Sequence, residues 1–221
     1  MPDYPIVLNL QDRLCVVVGG GAVGRRKARG LRAAGARVRL IAPQVVDAAT
    51  LEGMEILQRP YRSGDLQGAF LAFAATDSRR VNAAVLREAK RRKILVNVAD
   101  LPPAGDFTLP AVLRRGELAV AVSTGGVSPV LAALIRDRLA RELGPEWETV
   151  LAIAAVLRQK RLTPDEETEY NQGVLRQLVD DGLPLLLAQG RVPEVDRLLN
   201  ALLGEGFSLA DLAPSPPKGT R

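Results

Sequence analysis

The chain has 221 residues, a formal net charge of +5, 47% hydrophobic and 4% aromatic residues, one cysteine and no histidine. That length suits one large domain, or one with a smaller appendage, its core built from Ala, Val and Leu. The missing histidine excludes histidine-based acid–base catalysis and any histidine-ligated metal, one cysteine excludes an intrachain disulfide, and without interleaved aromatic and basic residues nucleic acid is not expected as a partner.

Leu14-Cys15-Val16-Val17-Val18 is a continuous apolar run closed by glycines, which predicts a buried parallel strand with Cys15 as a core thiol. Val23 to Ala34 reads as a helix with Ala28 and Leu31 inside, Arg25, Arg26, Lys27, Arg29 and Arg32 largely outside, and Gly35 as its stop. Strands follow at Arg37–Ile41, Glu55–Gln58 and Ala69–Ala74. Thr76-Asp77-Ser78 caps a helix that runs to about Arg92, and Ile94–Val98 is a fifth strand. Alternating β and α elements predict a doubly wound parallel sheet.

The pattern changes after Asp100. Phe107–Leu113 and Leu118–Ser123 read as two strands joined by Arg114–Glu117, a hairpin that either extends the sheet or forms a dimer contact. Ser128-Pro129 starts a helix that ends at Gly144-Pro145. The last third is helical: Thr163–Glu166 is a capping box, Gly182-Leu183-Pro184 is a break, and Val195–Leu203 is a further helix. The fold expected is α/β: a Rossmann-type parallel-sheet domain over residues 1–112, a small α+β dimerisation region over 113–145, a helical C-terminal domain over 146–212 and a disordered tail over 213–221. Apolar runs fall short of the ~20 residues that span a bilayer. The N-terminus shows no basic segment followed by an apolar one, so a cytoplasmic protein without membrane attachment is expected.

Gly19-x-Gly21-x-x-Gly24 follows a predicted strand and opens a predicted helix. In a dinucleotide site the first glycine allows the tight turn, the second the approach of backbone to the pyrophosphate, and the third close helix–strand packing. The helix N-terminus then presents free N–H groups to the anion. The acidic residue that usually binds the ribose at the end of the second strand is absent, and Ile41-Ala42-Pro43-Gln44 stands there. Gln44 or backbone groups are left to hold the ribose, with Arg37 and Arg39 read as solvent-facing rather than as 2′-phosphate ligands.

Without histidine, acid–base work falls to Asp, Glu, Lys, Tyr, substrate or water. Asp100 follows the fifth strand and so lies at the carboxyl edge of the sheet, where open α/β folds bind ligands, or else it is a loop aspartate. Asn97 either orients a substrate or finishes the strand. Ser123–Pro129 is either a second anion site, by the same helix-terminus physics, or a turn with a helix cap.

Taken together, these residues resemble the precorrin-2 dehydrogenase family, which includes stand-alone bacterial enzymes and the N-terminal module of siroheme synthases. The resemblance covers residues 4–145, through Tyr4-Pro5-Ile6, Val17–Lys27, Gly35–Val38, Ala74–Asp77 with Asn82, Asn97–Asp100, Phe107–Ala111 and Ser123–Pro129. It implies NAD-dependent oxidation of precorrin-2 to sirohydrochlorin by a homodimer, with product passing to a possible separate chelatase. It makes Asp100 the general base and sets Gly19, Gly21, Ala22, Val23, Gly24, Pro43, Gln44 and Thr76 against the cofactor. It puts Thr124 where some members carry a phosphorylatable serine. By position, Asn97, Arg114 and Arg115, with Thr124, Gly125 and Gly126, are candidates for the substrate and its eight carboxylates, although both arginines suit a plain surface role equally. No metal site is expected. Two features depart from the family pattern: Gly24 stands where Ala is common, and no histidine is present to assist iron insertion. A bifunctional dehydrogenase–ferrochelatase is the alternative reading, and a nucleotide-sensing regulatory domain, whose signature would include the missing ribose acid, is the second.

Overall fold

Five apolar residues in a row suit a strand covered on both faces, and Leu14–Val18 (β1) is the middle of a parallel sheet. Its odd positions, Cys15 and Val17, face one layer with Val38, Leu40, Leu71 and Phe73; Val16 and Val18 face the other with Ile41, Ala72, Ala74, Val96 and Val98. The computed structural model describes residues 3–46, 48–159, 167–204 and 206–212. The described chain divides into two compact units, Met1–Leu109 and Pro110–Arg221.

In the first unit, Ala22–Ala33 (α1) connects β1 to Arg37–Ile41 (β2), followed by Glu55–Leu57 (β3), Leu71–Ala74 (β4), Arg79–Arg92 (α2) and Leu95–Val98 (β5). Strand order is β3-β2-β1-β4-β5, all parallel. The order reverses between β1 and β4, and that switch point is where an open α/β sheet binds ligands. Ala28 and Leu31 bury α1 on one face, Val85 and Ala89 bury α2 on the other. Ser78 caps α2 by accepting from the Val81 N–H. Cys15 is fully buried, and burial pushes its thiol up to about 11, so it is an inert core residue.

Lys27 departs from the expected pattern. Its amine reaches across the Phe73 ring, 5.5 Å from the centroid, and donates to Asn97 Oδ1 at 2.9 Å. Burial lowers its pKa, with Arg26 adding repulsion. Arg25 likewise turns in and donates to the Val46 carbonyl. Long cationic stems cover apolar surface while their heads find polar partners, which helical periodicity alone does not reveal.

A buried acid ties the β3–β4 connection to α2. Glu88, 2% exposed, accepts from the Tyr61 hydroxyl, the Gly64 N–H and Arg92. Burial on its own would raise the Glu88 pKa, but these donors hold it below its ordinary value of 4.5. A lowered folded-state pKa contributes stability that is complete above the unfolded value and disappears as pH falls through the folded one. The unfolding free energy is therefore expected to fall more steeply below about pH 4.5 in the parent than in Glu88→Gln, as read from urea titrations at a series of pH values. Parallel curves would remove this role from Glu88.

The second unit begins with the hairpin Ala111–Arg115 (β6) and Leu118–Val122 (β7), turning at Gly116 with φ 54°. This antiparallel pair is a sheet of its own rather than an extension of the five-stranded one. Residues 107–110 are not strand, contrary to the expected start at Phe107. The Phe107 ring instead packs edge-on against Phe73 at 5.5 Å, closing the α1 face of the first unit. Pro129–Glu142 (α3) starts from Ser128, whose hydroxyl accepts from the Leu131 N–H, and packs on the hairpin. Trp147–Gln159 (α4), Glu167–Asp180 (α5), Leu183–Ala188 (α6), Val192–Leu203 (α7) and Leu209–Leu212 (α8) build a separate apolar core around Ile153, Leu178, Leu183 and Leu199. The expected break at Gly182–Pro184 separates α5 from α6. The expected capping box at Thr163–Glu166 and the C-terminal tail lie outside the described residues. Among the described residues, no helix is long and apolar enough to cross a membrane.

Candidate active site

Three loops meet at the carboxyl edge of the sheet. Gly19 adopts φ 127°, and a Cβ there would lie 2.2 Å from the Ala75 carbonyl oxygen at the exit of β4. A Cβ on Gly20 would meet the Gln44 carbonyl at 2.3 Å, beyond the exit of β2. One on Gly24 would meet the Gly19 carbonyl at 1.9 Å, so α1 approaches its strand as closely as glycine permits. Only Gly21 faces open space, with nothing within 4 Å of its missing Cβ. The three fingerprint glycines thus differ in their surroundings: Gly19 in a turn against β4, Gly21 open, and Gly24 closely packed.

Gly21 caps α1 without any side-chain hydrogen bond, and the first turn holds no acidic residue. The leading N–H groups of α1, at Ala22 and Val23, therefore point outward with the positive end of the helix dipole behind them. An open approach, free donors and no competing carboxylate fit the pyrophosphate of a dinucleotide. Pro43 and Gln44 flank this cradle and are exposed. Arg37 is exposed at the opposite end of β2, and Arg39 pairs with Glu55 on β3 at 2.9 Å.

Thr76 stands beside the cradle, and Asp100 is joined to it. Asn82, 1% exposed, accepts from the Thr76 N–H and hydroxyl and donates to the Thr76 carbonyl at 2.9 Å and to Asp100 Oδ1 at 2.7 Å. Asp100 is exposed, and its Oδ2 carries no hydrogen bond among the described residues. The base of its loop is closed by Asp106, which donates its N–H to the Val96 carbonyl and accepts from the Val96 N–H through its carboxylate. Lys90 pairs with the same carboxylate. Asn97, 5% exposed, belongs to this closure: it accepts from Lys27 and donates to the Phe107 carbonyl. Its polar atoms are engaged in holding the loop rather than turned outward. The resemblance includes Asn82 without giving it a task and does not include Asp106; the folded contacts show what each does.

The remaining expected site residues lie in the second unit. Thr124 donates its hydroxyl to the Ser128 carbonyl and accepts from the Ser128 N–H, while Gly125 and Gly126 take φ values of 59° and 80°. Of the loop N–H groups expected to face an anion, Gly125 donates to Ser123 and Val127 to the Thr124 carbonyl. Arg115 caps the end of α3 by donating to the Leu143 and Ala140 carbonyls, whereas Arg114 is exposed.

A five-stranded parallel sheet, a bare glycine-capped helix at its switch point and a carboxylate on the neighbouring loop define a dinucleotide-binding α/β protein. Residues 6–111 match the model of a putative NAD(P)-binding domain, and residues 115–142 match the central domain of sirohaem biosynthesis proteins. The siroheme synthase of Pseudomonas paraeruginosa is 40% identical over 214 residues, which are 94% of this chain and 46% of that protein. The siroheme synthase of Methylococcus capsulatus is 38% identical over 202 residues, 89% of this chain and 43% of that protein. The chain thus spans about half the length of the curated relatives it matches. Among solved structures, a chain described as SirC, precorrin-2 dehydrogenase, is similar with a TM-score of 0.70 and 25% identity, covering 91% of this chain and 99% of that one. Over most of its length the chain is similar to siroheme synthases and to a precorrin-2 dehydrogenase, and its first unit is an NAD(P)-binding domain.

Proposed function

We propose that the chain oxidises precorrin-2 to sirohydrochlorin with NAD, as a step towards siroheme. The observation that carries this reading is the unbroken line of contacts from the glycine cradle through Thr76 and Asn82 to Asp100. It sets a proton acceptor beside a dinucleotide site, in a chain whose likeness to a precorrin-2 dehydrogenase extends over 91% of its length.

Gly19, Gly21 and Gly24, with the N–H groups of Ala22 and Val23, would hold the pyrophosphate, and Pro43, Gln44 and Thr76 would line the nucleoside. When bound, NAD supplies the hydride acceptor. Asp100 accepts the proton that the substrate carbon loses, at its free Oδ2. Asp106 and Asn97 keep the Asp100 loop closed at its base. Of the two arginines considered for substrate carboxylates, Arg114 is exposed, whereas Arg115 is engaged with α3. A net charge of +5 favours so acidic a substrate.

The functional unit is a homodimer in the cytoplasm. Val130, Leu131 and Leu134 of α3 are 71%, 50% and 61% exposed, with Val127 beside them at 88%. An apolar strip of this kind on a described surface suits a second copy of the chain. Sirohydrochlorin then passes to a separate chelatase.

Anaerobic incubation with precorrin-2 and NAD tests the reading: the sirohydrochlorin spectrum should develop, and correctly folded protein that produces none would contradict it. Metal insertion into sirohydrochlorin no faster than without protein separates this reading from the bifunctional one.

A further inference from the structure

Resting on the reaction assigned above, we propose that Asn82 is a positioning residue whose side-chain amide aims and holds the Asp100 carboxylate. Asn82 lies in the first turn of α2, where its N–H donates to the Ser78 carbonyl. Its side chain is 1% exposed, and a buried amide is costly unless its donors and acceptor are matched. All are matched here. Oδ1 accepts from the Thr76 N–H at 3.1 Å and the Thr76 hydroxyl at 2.8 Å, and Nδ2 donates to the Thr76 carbonyl at 2.9 Å and to Asp100 at 2.7 Å.

The orientation of this amide follows from its partners. The Thr76 N–H can only donate and the Thr76 carbonyl can only accept, so Asn82 cannot be flipped. Its second N–H must therefore face Asp100. Thr76 in turn abuts Gly19, whose missing Cβ would lie 3.1 Å from the Thr76 nitrogen. The cofactor cradle and the proton acceptor are thus fixed to one another through a residue that touches neither the cofactor nor the substrate.

Asp100 is otherwise an exposed side chain free to rotate. One short hydrogen bond to the carboxylate selects a rotamer and leaves Oδ2 open. The backbone of the loop is anchored elsewhere, through Asp106, Asn97 and Phe107. Loss of the Asn82 donor therefore releases the carboxylate and not the loop.

Asn82→Asp in the full chain tests this, because it is nearly isosteric and keeps an acceptor for Thr76. NAD affinity should stay within about twofold while kcat falls roughly tenfold to a hundredfold, with the KM for precorrin-2 changing less. In an Asp100→Asn background the same change should cost less than about twofold, since both act through one carboxylate. Parental kcat in Asn82→Asp, or a full additional loss in the double variant, overturns the proposal. A readout independent of turnover is hydrogen exchange of the Asn82 side-chain amide by NMR. It should be slow in the parent and at least about tenfold faster in Asp100→Ala, as loss of a buried partner dictates. Equal exchange in both proteins overturns the contact. If the parent oxidises no precorrin-2 while the amide still responds to Asp100, the assigned reaction fails and the positioning contact stands.

Discussion

Asp100→Asn should retain parental NAD affinity and lose roughly a hundredfold to ten-thousandfold in kcat, the range expected when a general base is removed. The substitution is nearly isosteric, and an amide oxygen can still accept from Asn82 at the 2.7 Å contact. Neither the cradle nor the loop closure through Asp106 involves the Asp100 side chain. What disappears is the ability to take up a proton. Single-turnover kinetics with precorrin-2, paired with an NAD titration, separates the two properties. A parental kcat would remove Asp100 from the chemistry.

The second large effect is a contrast between two glycines two residues apart. Gly19→Ala should destabilise the fold by more than about 4 kcal/mol, because it combines backbone strain with a clash that no side chain can relieve. The Gly19 φ is 127°, and the added carbon would lie 2.2 Å from a backbone oxygen of Ala75. Gly21→Asp meets nothing within 4 Å and should fold normally. It should nevertheless weaken NAD binding by at least about tenfold, by placing a carboxylate where the helix N-terminus receives an anion. Thermal melting and NAD titration of both variants check this. A Gly19→Ala protein as stable as the parent, or unchanged NAD affinity in Gly21→Asp, would contradict the geometry of the cradle.

The first unit was legible in the sequence because its strands are short, mostly apolar runs, punctuated by Gly35, Pro43 and Ser78. Those local signals are strong, and the β1–α1–β2 unit with its glycine loop follows from them. Legibility ended where a contact joined residues distant in sequence. Lys27 reads as a surface cation on helical spacing, yet it reaches Asn97, 70 residues on. Phe107 reads as the start of a strand, yet its ring belongs to the core beside Phe73. Arg115 lies next to Arg114 and looks equivalent, but the end of α3 takes its guanidinium. The position of Asp100 after β5 was visible, while its tether through Asn82 was not, since a helical asparagine gives no sign of what it faces. In each case the deciding partner was a backbone carbonyl, a buried amide or, for Phe107, a distant aromatic ring, none of which leaves a trace in periodicity or composition.

On the proposed function, one protein joins a dinucleotide cradle and a proton acceptor to oxidise a tetrapyrrole. The most direct measurement is the amount of NADH formed against the amount of sirohydrochlorin formed, in one anaerobic incubation with precorrin-2 and NAD. A two-electron oxidation with hydride transfer predicts one NADH for each sirohydrochlorin, with both absent when NAD is withheld. Sirohydrochlorin accumulating without NADH would contradict it.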